Sequence, residues 1–239
     1  MKKLIGFVLV IVLFAGVGLG VKRFVEGPSQ SVNGVLVIGT DQETKKVKEL
    51  YKDRSKEMID YKMKLVTTTI TKKLSEQDAK ELGQEFDISY FNYSVITRST
   101  AEQFMKKGII RARQDPGSPS IISEPVTAIQ ELSNGQNLYF SLDDYYMKNN
   151  QINLNGQMIT VQYVKHQAWI GYRPMDLVIV DDQTYNKIKE AESTISLIHF
   201  QKDSFDYKNK EKVNKVIDEI RSVYTISEEK KVNFVDVQD

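Results

Sequence analysis

No cysteine occurs anywhere in the chain. That absence excludes disulfides, thiolate metal ligands and thiol nucleophiles, and with them the acylated cysteine on which a lipoprotein anchor is built. Histidine is nearly absent too, with only His166 and His199. Neither is joined by a second histidine or a cysteine at metal-binding spacing, so no metal site and no metal cofactor is expected. His199 falls in an apolar strand-like run, where a packed imidazole is the ordinary reading. Nor does the chain contain GxSxG, HExxH, SxxK or GxxxxGK[ST]. The acid pairs Asp143-Asp144, Asp181-Asp182 and Glu228-Glu229 are sequence neighbours that point different ways, and helix capping accounts for the first two. No catalytic residue and no cofactor is therefore assigned.

Charge of one sign is lacking as well: 33 basic residues stand against 32 acidic, a net charge of +1. The lysines are interleaved with acids along helix-like faces, without the basic stripe a nucleic-acid partner requires.

One long hydrophobic run is present. Lys2 and Lys3 precede Leu4–Val21, 18 residues without a polar side chain, against about 17 to 25 needed to span roughly 30 Å of hydrocarbon. The run reads as a retained anchor at residues 1–21, with the N-terminus inside and the C-terminal part extracytoplasmic. Its length exceeds the usual core of a cleaved signal, and Gly18 and Gly20 make a poor cleavage site. Secretion after cleavage is the alternative. Residues 22–32, with Gly27, Pro28, Ser29 and Ser31, read as a stalk, and residues 33–239 as one extracytoplasmic domain of sufficient size to stand on its own core.

The domain pattern is mixed α+β. Gly34–Thr40 reads as a buried strand and Asp41–Lys62 as an amphipathic helix. Met63–Lys73 is β-branched and strand-like, Ser75 caps a helix that ends at Gly83, and Phe86–Thr97 is a strand before a short helix to Lys107. Asp115–Pro119 is the strongest turn cluster, so two lobes are expected, with an excursion over residues 108–175. Ser141 opens a short helix to Lys148. Asn155-Gly156 marks a type I′ hairpin within Gln151–Val164. Asp176–Asp181 is a strand, a helix capped by Asp182 follows, Thr194–Gln201 is a strand, and Tyr207–Tyr224 is an amphipathic helix. Val232–Val237 closes the sheet.

Aromatic residues form three groups: Tyr90, Phe91 and Tyr93; Tyr139, Phe140, Tyr145 and Tyr146; and Tyr163, Trp169 and Tyr172. Half-buried strands account for most of them. The segment His166–Arg173 is the exception, because it carries the single Trp between a hairpin and a buried strand, where binding residues collect. His166, Trp169, Tyr172 and Arg173 are the candidate ligand- or partner-binding residues.

The segments LYFSLDDYYMKNN, INLNGQMITVQYV, DLVIVDDQTYNKI and ISLIHFQKDSFDYKNKEKVNKVIDEIRSV resemble the extracellular domain of FtsX/MacB-superfamily ABC-transporter permeases. TKKLSEQDAKELGQEFDISYF is similar to the same group, and the nearest likeness is to the BceB-like permeases of Gram-positive antimicrobial-peptide resistance. The resemblance implies an αβ domain that contacts a peptide ligand and works beside ABC transporter subunits or a sensor kinase. The chain departs from that pattern in having one apolar run instead of several. The expected function is accordingly a noncatalytic, membrane-tethered binding or interaction domain. A cell-envelope enzyme without a recognisable motif and a structural assembly module are the alternatives.

Overall fold

The computed structural model describes residues 29–115, 122–141, 144, 147–165, 167–225 and 231–238. The expected anchor at 1–21 lies outside them, as do most of the stalk, the Pro116–Pro119 turn, and Leu142, Asp143, Tyr145 and Tyr146 of the expected helix. Among the described residues no helix is long and apolar enough to cross a membrane.

The chain is mixed α+β, as its pattern predicts. In order it forms β1 (Ser31–Val32), β2 (Gly34–Gly39), α1 (Asp41–Tyr51), β3 (Ser55–Lys73), α2 (Glu76–Leu82), β4 (Phe86–Thr97), α3 (Arg98–Lys106), β5 (Ile110–Arg113), β6 (Ser123–Pro125) and a 3₁₀ turn at Gln130–Asn134. There follow β7 (Leu138–Phe140), β8 (Gln151–Leu154), β9 (Gln157–Thr160), β10 (Gln162–Val164), β11 (Ala168–Ile170), β12 (Asp176–Val180), α4 (Asp182–Lys187), β13 (Ser193–Phe200), β14 (Phe205–Asp206), α5 (Lys210–Val223) and β15 (Val232–Val235).

Eight strands make one sheet in the order β10-β7-β12-β4-β3-β13-β2-β15. Its centre is β3, 19 residues long. The first half of β3, from Ser55 to Met63, pairs antiparallel with β13, and the second half, from Lys64 to Lys73, pairs antiparallel with β4. The β12–β4 and β10–β7 pairs are parallel, and the remaining neighbours are antiparallel.

Alternation sorts the apolar side chains onto two faces. On one face Leu36, Ile38, Met63, Ile96, Leu177, Ile179 and Leu197 form a continuous core under α3 and the small β11-β5-β6 sheet. On the other face Val35, Val37, Ile198 and Phe234 meet α1 and α5 through Val47, Val213 and Ile220. Further along that side Val66, Val95, Val178 and Val180 meet the β8–β9 hairpin and α4 through Ile152, Leu154, Ile159 and Tyr185. Both β2 and β12 are therefore buried on two sides, which explains their uninterrupted apolar sequences.

Local chemistry sets the element ends. Thr40 caps α1 with a full capping box to Glu43, Ser75 accepts from the Asp78 amide ahead of α2, and Gly83 ends that helix at φ 67°. The Ser75 cap and the Gly83 end follow the sequence reading, as does the β8–β9 turn, where Asn155 and Gly156 both take positive φ. Elsewhere the reading needs revision. The expected helix to Lys62 stops at Tyr51, because Ser55–Lys62 finds strand partners on β13. The cap of α4 is Asp181, one residue before the expected Asp182, and α3 is capped by Thr97. The Lys64 ammonium, buried beside Tyr185, donates to the carbonyls of Tyr185 (3.0 Å) and Ile188 (2.5 Å), placing a cation at the carbonyl end of α4.

Phe104 of α3 is fully buried and meets the Tyr61 ring edge-on at 4.8 Å. Phe104→Ala is expected to lower stability by about 3–5 kcal/mol, seen as a lower denaturant midpoint. Leu82→Ala, on a side chain 63% exposed, stays within about 0.5 kcal/mol. A second prediction concerns Glu219 of α5. Burial alone would raise its carboxyl, but hydrogen bonds from Arg54 (2.9 Å) and Tyr51 (3.0 Å) and the Arg54 charge outweigh it and hold the acid below the ordinary glutamate range. A depressed carboxylate stabilises the fold above its unfolded pKa and loses that contribution as the pH falls through its folded value. Glu219→Gln should thus lower the melting temperature at neutral pH and narrow its gap to the parent protein as the pH falls below about 4.

Candidate functional site

The segment singled out by its tryptophan wraps around the β15 edge of the large sheet. Ile170 belongs to the core on one face and Tyr172, two residues on, to the core on the other. Gly171 makes the crossing at φ 67°, and a Cβ there would stand 2.7 Å from the Asn233 side chain and 2.8 Å from the Phe234 carbonyl. Only glycine fits both the angle and the space. Asn233 of β15 clamps the turn: its Oδ1 accepts from the Tyr172 and Arg173 amides, both at 3.0 Å, and its Nδ2 donates to the Ile170 carbonyl at 2.6 Å.

This clamp fixes a column of stacked groups. Arg111 of β5 lies over the Tyr172 ring at 4.5 Å, Tyr172 stacks on Tyr207 at 5.1 Å with 17° between the planes, and the Lys210 ammonium lies 5.6 Å over Tyr207. The Tyr172 hydroxyl donates to the Ser31 carbonyl at 2.5 Å. Burial pushes that phenol up to about 12 against the opposing effect of Arg111, and Asp236 and Asp206 add to the rise. The column therefore starts at a buried cation and ends at an exposed one.

At its outer end a concavity of about 390 Å³ opens over α5. Tyr207, Phe234, Val213, Ile217 and Val232 provide apolar walls, with Arg173, Lys210 and Arg221 around them. Asp218 is the one carboxylate in the lining, and it lies 3.6 Å from Arg221. A smaller concavity of about 230 Å³ on the other flank of α5 is lined by Tyr51, Arg54, Phe200 and Phe205, with Lys212 and Lys215. There Arg54 is already bonded to Glu219 at 2.9 Å. Among the described residues no group of three or more His, Asp or Glu is placed to hold a metal ion.

Of the four residues expected at a site, His166 lies outside the described residues. Trp169 is 3% exposed in the middle of β11, opposite Arg111, and Tyr172 is 6% exposed within the column. Arg173 lines the larger concavity. The Trp169 indole N–H and the Arg111 Nη1, adjacent across two strands, are buried without hydrogen-bond partners among the described residues. Sequence reasoning missed Tyr207, Lys210, Arg221 and Phe234. Its available signal was the spacing of α5: Lys210, Val213, Ile217 and Arg221 recur at three- and four-residue steps and so share one stripe.

Comparison with known proteins places the domain. A family described as an uncharacterised lipoprotein family matches residues 32–238. No curated protein matches the chain. The crystal structure of a Bacillus anthracis protein assigned as a lipoprotein superposes with a TM-score of 0.55 at 17% identity, covering 86% of this chain and 99% of that one. The shared feature there is the fold.

These findings correct several expectations. The resemblance to FtsX/MacB and BceB-like permeases is overturned, since the matched segments are strand and cap elements that a lipoprotein domain also contains. The transporter subunits, the sensor kinase and a role in antimicrobial-peptide resistance fall with it. The single transmembrane span is not supported by the family match, and the expected anchor at 1–21 lies outside the described residues. The lipoprotein class was set aside for want of a cysteine, yet the match rests on the folded domain, whose core does not depend on an attachment residue. The coarse location, membrane-associated and extracytoplasmic, is that of a lipoprotein family. From residue 32 to residue 238 the chain belongs to the uncharacterised lipoprotein family.

Proposed function

We propose that this protein is a noncatalytic binding domain at the outer face of a membrane, and that its ligand-binding site is the concavity over α5. The ligand chemistry that fits is a short peptide with an apolar side chain and a free carboxylate. One observation carries the reading: three cations, Arg173, Lys210 and Arg221, surround walls formed by Tyr207, Phe234, Val213 and Ile217, with a single acid in the lining. Aromatic walls bury ligand area at low entropic cost, and charge-assisted hydrogen bonds from guanidinium groups fix a carboxylate.

The Asn233 clamp and the stack on Tyr172 preorganise this surface, so a ligand meets a formed aromatic wall and less ordering entropy is lost on binding. Elsewhere the raised pKa of Tyr139 comes from burial, with Asp176 beside it, and that phenol belongs to a core cluster and not to a cleft. Shifts of that kind support packing and carry no catalytic argument.

The reading is tested with the full-length protein in detergent, titrated against a library of short peptides with free C-terminal carboxylates and against the same peptides amidated. Retained peptides should lose about tenfold or more in affinity on amidation and on Arg173→Glu with Arg221→Glu. Tyr207→Ala should weaken them irrespective of the terminus, and Lys46→Glu on the exposed side of α1 should leave affinity unchanged. Equal binding of carboxylate and amide forms, or indifference to the charge reversals, would remove the site.

A further inference from the structure

Beyond the point where β12 and β13 leave the sheet, β3 and β4 continue alone as a two-stranded arm. Thr67–Lys73 pairs with Phe86–Asn92 in unbroken antiparallel register, whereas β12 reaches β4 only from Tyr93 onward and β13 reaches β3 only as far as Met63. The helix at its end, α2, buries no side chain. One face of the arm is covered by the β8–β9 hairpin: the Thr68 hydroxyl donates to the Asn153 carbonyl and accepts from the Asn155 amide, both at 2.8 Å. The other face presents Phe86, Ile88 and Tyr90 at 45%, 51% and 66% exposure, with Leu82 of α2 beyond them. These three alternate along β4 and therefore share a face. Among the described residues no strand lies against the outer edge of Phe86–Tyr90.

An unpaired strand edge beside an apolar row is a template for another strand. We propose that its occupant is a second copy of this chain, with the two β4 strands antiparallel about a two-fold axis at Ile88. The sequence fits itself in that register: Ile88 faces Ile88, Phe86 faces Tyr90 and Asp87 faces Ser89. Both apolar rows then lie on one continuous face, and no like charges oppose each other. Centring the axis on Asp87 instead would set two carboxylates against each other. The β3 edge of the arm is a poorer partner, since Lys72 and Lys73 crowd its end and its side chains on the bare face are Thr69, Thr71 and Lys73. Docking on an anionic lipid surface is opposed by Glu76, Asp78, Glu81, Glu85 and Asp87 around the row.

Because the natural chain has no cysteine, single cysteines report this register directly. In the full-length protein in detergent under mild oxidation, Ile88→Cys is expected to form a covalent dimer. Tyr90→Cys should yield about tenfold less, because four residues of strand, roughly 13 Å, separate the two copies of position 90, beyond the reach of a disulfide at about 7 Å. A mixture of Phe86→Cys and Tyr90→Cys proteins should crosslink to each other in preference to themselves. All three positions are exposed, and unchanged thermal melting confirms that the variants fold. No dimer from Ile88→Cys, or equal yields from Ile88→Cys and Tyr90→Cys, overturns the proposal. Neither result bears on peptide binding over α5.

Discussion

The fold depends on one strand belonging to two neighbourhoods. Over its 19 residues β3 passes from pairing with β13 to pairing with β4, joining a half-sheet that carries α1 and α5 to one that carries α4 and the β8–β9 hairpin. Neither half has a complete core alone, because Leu36 and Leu197 from one and Ile96, Leu177 and Ile179 from the other lie in the same cluster under α3. The far end of β3, beyond both neighbours, becomes the arm. Sheet centre, shared core and exposed ribbon thus follow from one segment being longer than either of its partners.

The concavity over α5 depends on this frame through the β15 edge. There the chain from Ile170 to Arg173 crosses from one face to the other, covering an edge that would otherwise stand open. A side-chain amide, Asn233, performs the role that strand pairing performs elsewhere. Its fixed turn places Tyr172 under Tyr207 and Arg173 beside α5.

Much of the local structure was legible because it is written in short-range chemistry. Ser75, Gly83 and Asn155-Gly156 each determine a cap or turn within four residues, and β4 was bounded to the residue. The failure at Ser55–Lys62 has the opposite cause. Met58 and Ile59 continue the helical spacing of Val47 and Tyr51, and only the distant strand Ser193–Phe200 decides for β structure. The site was half legible for the same reason. Tryptophan and tyrosine density marked the segment that wraps the β15 edge, but Trp169 and Tyr172 are buried there, and the residues lining the concavity come mainly from α5 and β15. The family was missed where an attachment residue was taken for a property of the fold.

The first and last strands of the large sheet, in chain order, are neighbours. β15 pairs with β2 from Val232↔Val37 to Val235↔Gly34, and Asn33 closes the seam by accepting from the Val237 amide and donating to its carbonyl. Contacts so distant in sequence form late, after nearly the whole chain has been ordered. Until Val232–Val235 is in place there is no strand to set against β2, no Asn233 to hold the turn at Gly171 and no Phe234 in the wall over α5. The edge beside the concavity over α5 is therefore completed only when the two ends of this segment of chain meet.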